Sequence, residues 1–193
     1  MIWPAAAPLT PNMPFSPKFL FIAGLLFFLV PLNADAKESI PQFCEVAPGV
    51  YRGGQPTEEG LKELKAKGIK TIVNFRHEKR RVEEERQQVE ALGMSYVSIP
   101  WRISGNPDEG ILESFLKIAE DPAKKPLFFH CRRGVERTGV MTGVYSMAVA
   151  GLSPEAAYEK AFRGFPVHWY WKFFVNQKFE FFKKALVQRE AKA

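Results

Sequence analysis

The chain is poor in cysteine: Cys44 and Cys131 are the only two in 193 residues. At most one disulfide can form, and no group of cysteines and histidines stands at zinc-ligand spacing. No internal repeat is present, and no low-complexity tract beyond a proline-rich leader. The apolar run Phe19 to Val30 is short for a bilayer span, which needs about 20 residues. Charge of one sign is not concentrated anywhere. The formal net charge is +6, and acidic and basic residues mix from Glu78 to Glu90, as on a solvated helix face rather than a nucleic-acid patch. Such a moderately basic surface suits anionic substrates without specifying one.

The leader has its own character. Lys18 precedes the run Phe19–Val30, and Pro31-Leu32-Asn33-Ala34-Asp35-Ala36 follows with a small-x-small end. This predicts a secretory signal peptide over residues 1–36, cut after Ala36, with Met13 an alternative start. The rival expectation is an uncleaved N-terminal anchor; either way residues 37–193 form one exported, periplasmic or secreted domain. The leader holds one Lys and one Asp, so the remainder keeps the net +6. In an oxidising compartment a Cys44–Cys131 disulfide would be a reversible off-switch, the alternative being that Cys44 is a small, inert, buried side chain.

Past the leader, short β-rich runs alternate with helical patterns. Phe43–Val46 and Val50–Arg52 read as strands around a Pro48-Gly49 turn. Thr57 predicts a helix cap, with Glu58 and Glu59 in the first turn and Gly68 at the stop. Ile69–Phe75 and Met94–Ile99 read as strands around a charged helix ending near Gly93. Asn106 and Pro107 predict the next helix start as N-cap and first residue, with Ile111, Leu112, Phe115, Leu116 and Ile118 on its core face. Everything after the Pro126–His130 strand reads as helix. The class is α/β: a three-layer fold with a central, parallel-rich, twisted sheet flanked by helices. The stretch His168–Lys184, dense in aromatics and lysines, either packs an aromatic face on the domain or touches a membrane surface.

The most informative run is His130-Cys131-Arg132-Arg133-Gly134-Val135-Glu136-Arg137-Thr138-Gly139. It lies between the strand Leu127–Phe129 and a helical segment, at the carboxyl end of a central strand, where open α/β sheets place ligands. A loop feeding a helix N-terminus aims several N–H groups and the positive dipole end at one spot. That spot favours an anion, and a thiol there is favoured as thiolate.

The run resembles the His-Cys-x5-Arg-Thr-Gly phosphate loop of cysteine-dependent protein tyrosine and dual-specificity phosphatases. The segment Val50-Tyr51-Arg52-Gly53-Gly54-Gln55-Pro56, with Ile72-Val73-Asn74-Phe75-Arg76, is similar to bacterial members of the atypical dual-specificity group. The likeness spans roughly residues 45 to 165. It implies a phosphoric monoester hydrolase that needs no cofactor or metal. Cys131 is then the nucleophile and Arg137 the bidentate phosphate ligand. Backbone N–H groups of Arg132, Arg133, Gly134, Val135, Glu136 and Arg137 bind the other oxygens, and Thr138 stabilises the departing thiolate or caps the helix. His130 orients the loop. Substrates implied are phosphorylated proteins or inositol phosphates, with no nucleic acid, and the protein is expected to be a monomer.

The general acid departs from the family pattern. Relatives carry an aspartate on a loop some thirty residues before the cysteine, but Pro100-Trp101-Arg102-Ile103-Ser104-Gly105 holds no carboxylate. Two replacements are open: Glu136, at the place where myotubularin-like and some bacterial tyrosine phosphatases carry an aspartate, and Asp108, already explained as first-turn dipole compensation. Glu136 has an alternative as ion-pair partner of Arg133. A basic rim of Arg132, Arg133, Arg76 and His77 favours polyanions, or is merely solvated. Plant and fungal relatives that cleave inositol pyrophosphates have a lysine–histidine pair where this chain has Val135-Glu136, which argues against copying their specificity. Two other classes stay open: a phosphate-binding module without turnover, and a rhodanese-like sulfurtransferase.

Overall fold

The computed structural model describes residues 38–192, so the predicted signal peptide, its cut after Ala36 and the alternative anchor lie outside the described residues. Five strands form one sheet: β1 (Cys44–Ala47), β2 (Val50–Gly53), β3 (Thr71–Asn74), β4 (Ser95–Ser98) and β5 (Leu127–His130), in the order β1-β2-β5-β3-β4. Only β1 runs antiparallel, folding onto β2 through a turn at Gly49, whose φ of 73° a side chain would resist. The pairs β2–β5, β5–β3 and β3–β4 are parallel. β5 is the middle strand, and its last residue, His130, pairs with Gly53 on one side and Asn74 on the other.

Every residue of β3 and β5 is buried, as expected of parallel strands covered on both faces. Alternation divides them. Val73 and Phe129 join Phe75, Phe115, Val140 and Phe182 on one face, while Ile72 and Phe128 join Leu61, Leu64 and Val89 on the other. The first cluster is covered by α3 (Glu109–Ala119), α4 (Glu136–Ala148) and α6 (Trp169–Glu190), and the second by α1 (Glu58–Ala66) and α2 (Lys79–Ala91). The helix α5 (Pro154–Phe162) lies against α4. The predicted three-layer α/β architecture is present.

Local signals mostly hold. Thr57 caps α1 by accepting from Gly60 N at 3.1 Å, and Gly68 and Gly93 take positive φ just past α1 and α2. One boundary differs: α3 starts at Glu109, and its cap is Asp108, not Asn106, because the Asp108 carboxylate accepts from Ile111 N at 3.2 Å. Helix α2 also departs from a uniformly solvated face, since Glu85 is 3 % exposed. In α6 the aromatic face indeed packs inward through Val175, Phe179, Phe182 and Leu186, but Trp169, Tyr170 and Phe173 at its start stay exposed. Cys44 and Cys131 are both free thiols. β2 lies between β1 and β5, so Cys44 is about two strand spacings, roughly 10 Å, from Phe129, where a disulfide needs Cα atoms about 4.4–6.8 Å apart. The disulfide switch therefore has no support in this fold.

Candidate active site

A cavity of about 580 Å³ opens at the carboxyl ends of β3 and β5. Cys131, 1 % exposed, forms its floor, with Arg132, Arg133, Glu136 and Arg137 from the same loop. Loops from elsewhere complete it: His77 and Glu78 after β3, Arg102, Ile103 and Ser104 after β4, and Tyr170 and Trp171 at the start of α6.

The loop from Cys131 to Val135 is shaped by what holds its carbonyls. His130 Nδ1 stands 3.1 Å from Cys131 O. Gln55 N donates to Arg132 O at 3.1 Å, and Arg52 Nη2 donates to Gly134 O at 2.7 Å. In a trans peptide the C=O and the following N–H point oppositely, so carbonyls tied off behind the loop turn N–H groups to its concave side. Among the described residues, no backbone acceptor is recorded for the amides of Arg132, Arg133, Gly134 or Val135. Such a nest of free donors at the start of α4, with the helix dipole behind it, is built for an oxyanion. Gly134 makes the curve: its φ is 78°, and a Cβ there would stand 2.5 Å from Gly54 N. Gly134 and Val135 are not among the residues that line the cavity.

Arg137 reaches the cavity with its guanidinium held on one side only. Its Nη1 donates to Phe75 O at 2.8 Å and Trp101 O at 3.1 Å, and lies 3.4 Å from His77 Nδ1. The guanidinium is thereby fixed in plane, and no protein acceptor is recorded for Nε or Nη2 among the described residues. Those two parallel donors suit a bidentate contact with phosphate. Thr138 is buried outside the cavity wall, and its hydroxyl donates to Gly53 O at 3.4 Å.

His130 is fully buried, with Nε2 3.1 Å from Glu85 Oε1. Glu85 also accepts from Gln55 Nε2 at 2.7 Å, Asn74 Nδ2 at 2.5 Å and Tyr96 OH at 2.9 Å. Burial pushes the Glu85 carboxyl up, but His130 and these bonds outweigh it and hold it below the usual carboxylate range.

The two acid candidates part company. Glu136 is in the cavity wall, 7 % exposed, and ion-paired to Arg133, so its alternative reading is also realised. Asp108 is not brought to the cavity; it is exposed and occupied with capping α3. The remaining wall carboxylate, Glu78, read in the sequence only as part of a solvated, mixed-charge helix. Burial raises its pKa, yet hydrogen bonds from Arg76 bring it down to about 2, so it stays ionised. His77 is pulled down by burial and by Arg137 and Arg102, against the opposite pull of Glu78. The predicted basic rim is real for His77, Arg132 and Arg133; Arg76 instead turns to Gln55 Oε1 at 2.8 Å and Glu78. Arg102, Tyr170 and Trp171 carried no motif that could have placed them here.

Residues 27–164 match the model described as "DSP-PTPase phosphatase fused to NAD+ Kinase". The chain belongs to this phosphatase family. It is 31% identical over 144 residues, 72% of its length, to the rice "Probable NAD kinase 2, chloroplastic", but spans only 14% of that protein. It is 25% identical over 134 residues to the "Dual specificity protein phosphatase TpbA" of Pseudomonas aeruginosa (strain UCBPP-PA14), covering 69% of this chain and 59% of that one. It is 29% identical over 118 residues to the Arabidopsis thaliana "Inositol diphosphatase DSP3", covering 58% and 56%. Among solved structures, P. aeruginosa TpbA superposes with a TM-score of 0.64 at 17% identity, covering 79% of this chain and 97% of that one. The catalytic core of the S. cerevisiae PP-IP phosphatase SIW14 gives 0.62 at 21%, covering 79% and 92%. The α/β fold is shared with both.

Proposed function

We propose that the protein is an exported phosphatase that hydrolyses phosphomonoesters through a phosphocysteine on Cys131. The observation that carries this reading is the meeting of Cys131 and Arg137 in one cavity, over a loop whose carbonyls are held away and whose amides are free. Cys131 thiolate attacks phosphorus opposite the ester oxygen; the S–P bond forms as the P–O bond breaks. Glu136, released from Arg133 once substrate engages that arginine, gives its proton to the departing oxygen. Water then attacks the phosphocysteine and returns a proton to Glu136, and phosphate and thiolate separate. Arg137 and the loop amides stabilise the equatorial oxygens in both steps. Thr138 supports the loop from behind, consistent with its bond to Gly53.

Arg102, Arg132 and Arg133 around the mouth support a multiply charged substrate, an inositol phosphate or a phosphorylated protein segment. An incoming anion also competes for Arg133 and frees Glu136 from its ion pair. Relatives named inositol diphosphatase and dual-specificity phosphatase agree with that range. The exposed Trp169, Tyr170 and Phe173 beside the mouth would suit a substrate at a lipid surface, so headgroups should be assayed both free and in vesicles. Export rests on Lys18, the Phe19–Val30 run and the Ala34-Asp35-Ala36 end.

The second reading is a phosphate-binding module without turnover, favoured by the absence of a carboxylate on the 101–105 loop and by the Arg133 hold on Glu136. Phosphate release from an aryl phosphate separates the two. Many turnovers, abolished by Cys131→Ser and by vanadate, support the phosphatase; no release beyond one equivalent supports the module. A sulfurtransferase finds no support in the family match.

A further inference from the structure

The segment Val50–Pro56 performs no step of the chemistry above, yet it runs beneath the phosphate loop. Its Arg52 is completely buried. Burying a guanidinium is costly unless its charge is met, and among the described residues no carboxylate meets it. Nη1 donates to Ala161 O, just before the end of α5, at 2.6 Å, and Nη2 donates to Gly134 O at 2.7 Å. The guanidinium carbon stands 4.1 Å from the centroid of the Phe165 ring. Nε has no hydrogen-bond partner among the described residues. Burial pulls the Arg52 pKa down to about 10, offset by the fields of Cys44 and Cys131, so the side chain is still a cation at neutral pH. Burial pushes the Cys44 thiol up, which leaves it neutral. Of the two sulfurs, Cys131 is the one that lines the cavity over the phosphate loop.

We infer that Arg52 is a positioning residue of the phosphate loop: it pins the Gly134 carbonyl so that the Val135 amide faces the bound phosphoryl group, and its charge is the buried counterpart of the Cys131 thiolate. The first half rests on the phosphatase reading; the second does not. Other charged groups face Cys131 from the cavity: Arg137 from α4, His77 and Glu78 from the loop after β3, and Arg102 from the loop after β4. Glu136 and Arg133 are paired with each other on the same wall, and on the far side Lys160 of α5 acts on Cys44. Arg52 is distinguished by being sealed from solvent and bonded to the loop backbone itself.

Charge and geometry come apart in two variants. Lysine keeps the charge, but one ammonium cannot reproduce the forked contact with Ala161 O and Gly134 O. Glutamine removes the charge. The readout is iodoacetamide alkylation of Cys131 against pH, resolved by peptide mass spectrometry, with inorganic phosphate as protecting ligand and circular dichroism as the check on folding. Arg52→Gln should move the alkylation midpoint up by about one to three pH units. Arg52→Lys should keep the parent midpoint while phosphate protection weakens about tenfold. A folded Arg52→Gln with the parent midpoint overturns the charge assignment, and parent-like protection in Arg52→Lys overturns the positioning. Should neither variant fold, the intact protein decides: Arg52 side-chain nitrogen resonances should shift over the pH range in which alkylation switches on, and stay still in Cys131→Ser. Resonances that ignore that range refute the inference. Alkylation needs no turnover, so a parent that alkylates but releases no phosphate refutes the proposed function and leaves the charge assignment standing.

Discussion

Glu85 Oε1 lies 3.1 Å from His130 Nε2, joining the middle of a surface helix to the residue before the proposed nucleophile. The contact is buried on both sides, and it sets which way the Cys131 carbonyl is held. Glu85 is held below the ordinary carboxylate range, so the unfolded chain binds a proton there more readily than the native one. Its stabilising contribution is therefore complete above about pH 4.3 and drains away as pH falls through the lower native value. Glu85→Gln should cost about 1–3 kcal/mol at pH 7 by urea denaturation, because one of the two buried acceptor oxygens shared by Gln55, Asn74 and Tyr96 becomes an amide nitrogen. The variant should also lose less stability than the parent on acidification. Parallel acid profiles would count against the assignment.

Arg137→Lys should lower kcat/KM by about 10²–10³-fold, with a stability change under about 1 kcal/mol. The guanidinium spends Nη1 on Phe75 O and Trp101 O and keeps two donors for substrate, a division that an ammonium cannot make. Steady-state kinetics on an aryl phosphate checks it; a loss under about fivefold contradicts the bidentate role.

Gly134→Ala should destabilise by at least about 1–3 kcal/mol from its positive φ alone. The added carbon also collides with the Gly53–Gly54 backbone, so phosphate affinity should fall with stability. Denaturation and phosphate protection against alkylation measure the two effects. Unchanged phosphate protection would show that the loop curve does not need glycine.

Glu136→Gln should slow cleavage of a substrate with a poor leaving group far more than of one with a good leaving group, by about 10²-fold or more. Asp108→Asn should do neither, since asparagine caps a helix about as well as aspartate and this side chain lies outside the cavity. Loss of the acid limb in Asp108→Asn instead would reverse the assignment.

How much of this was legible in the sequence varied with the kind of signal. The phosphate loop was, because its backbone demands are local: a strand, a glycine at positive φ, a helix start and an arginine at fixed spacing. The α/β alternation was too, since Ile72, Val73, Phe128 and Phe129 form continuous apolar runs of the sort buried parallel strands need. Glu85 was not. It sits among Glu83, Glu84, Arg86 and Gln87, and nothing in that run says which turn of the helix faces inward over Asn74 and His130. At the start of α3, Asn106-Pro107 read as cap and first residue, but the asparagine and aspartate two residues apart are equally good caps, and only the fold selects Asp108. In α6 aromatics occupy all sides of the first turns, so periodicity could not say that Tyr170 and Trp171 would line the cavity while Phe179 and Phe182 entered the core. Arg52 was noticed only as part of a resemblance; its burial depends on α5 and Phe165, far along the chain.

The proposed chemistry requires a covalent bond between Cys131 and the phosphoryl group. Rapid acid quenching of the protein during turnover of an aryl phosphate, followed by peptide mass spectrometry, should find one phosphoryl group on the Cys131 peptide and none in Cys131→Ser. Sustained turnover with no phosphoryl group on that peptide, or turnover surviving in the serine variant, would contradict it.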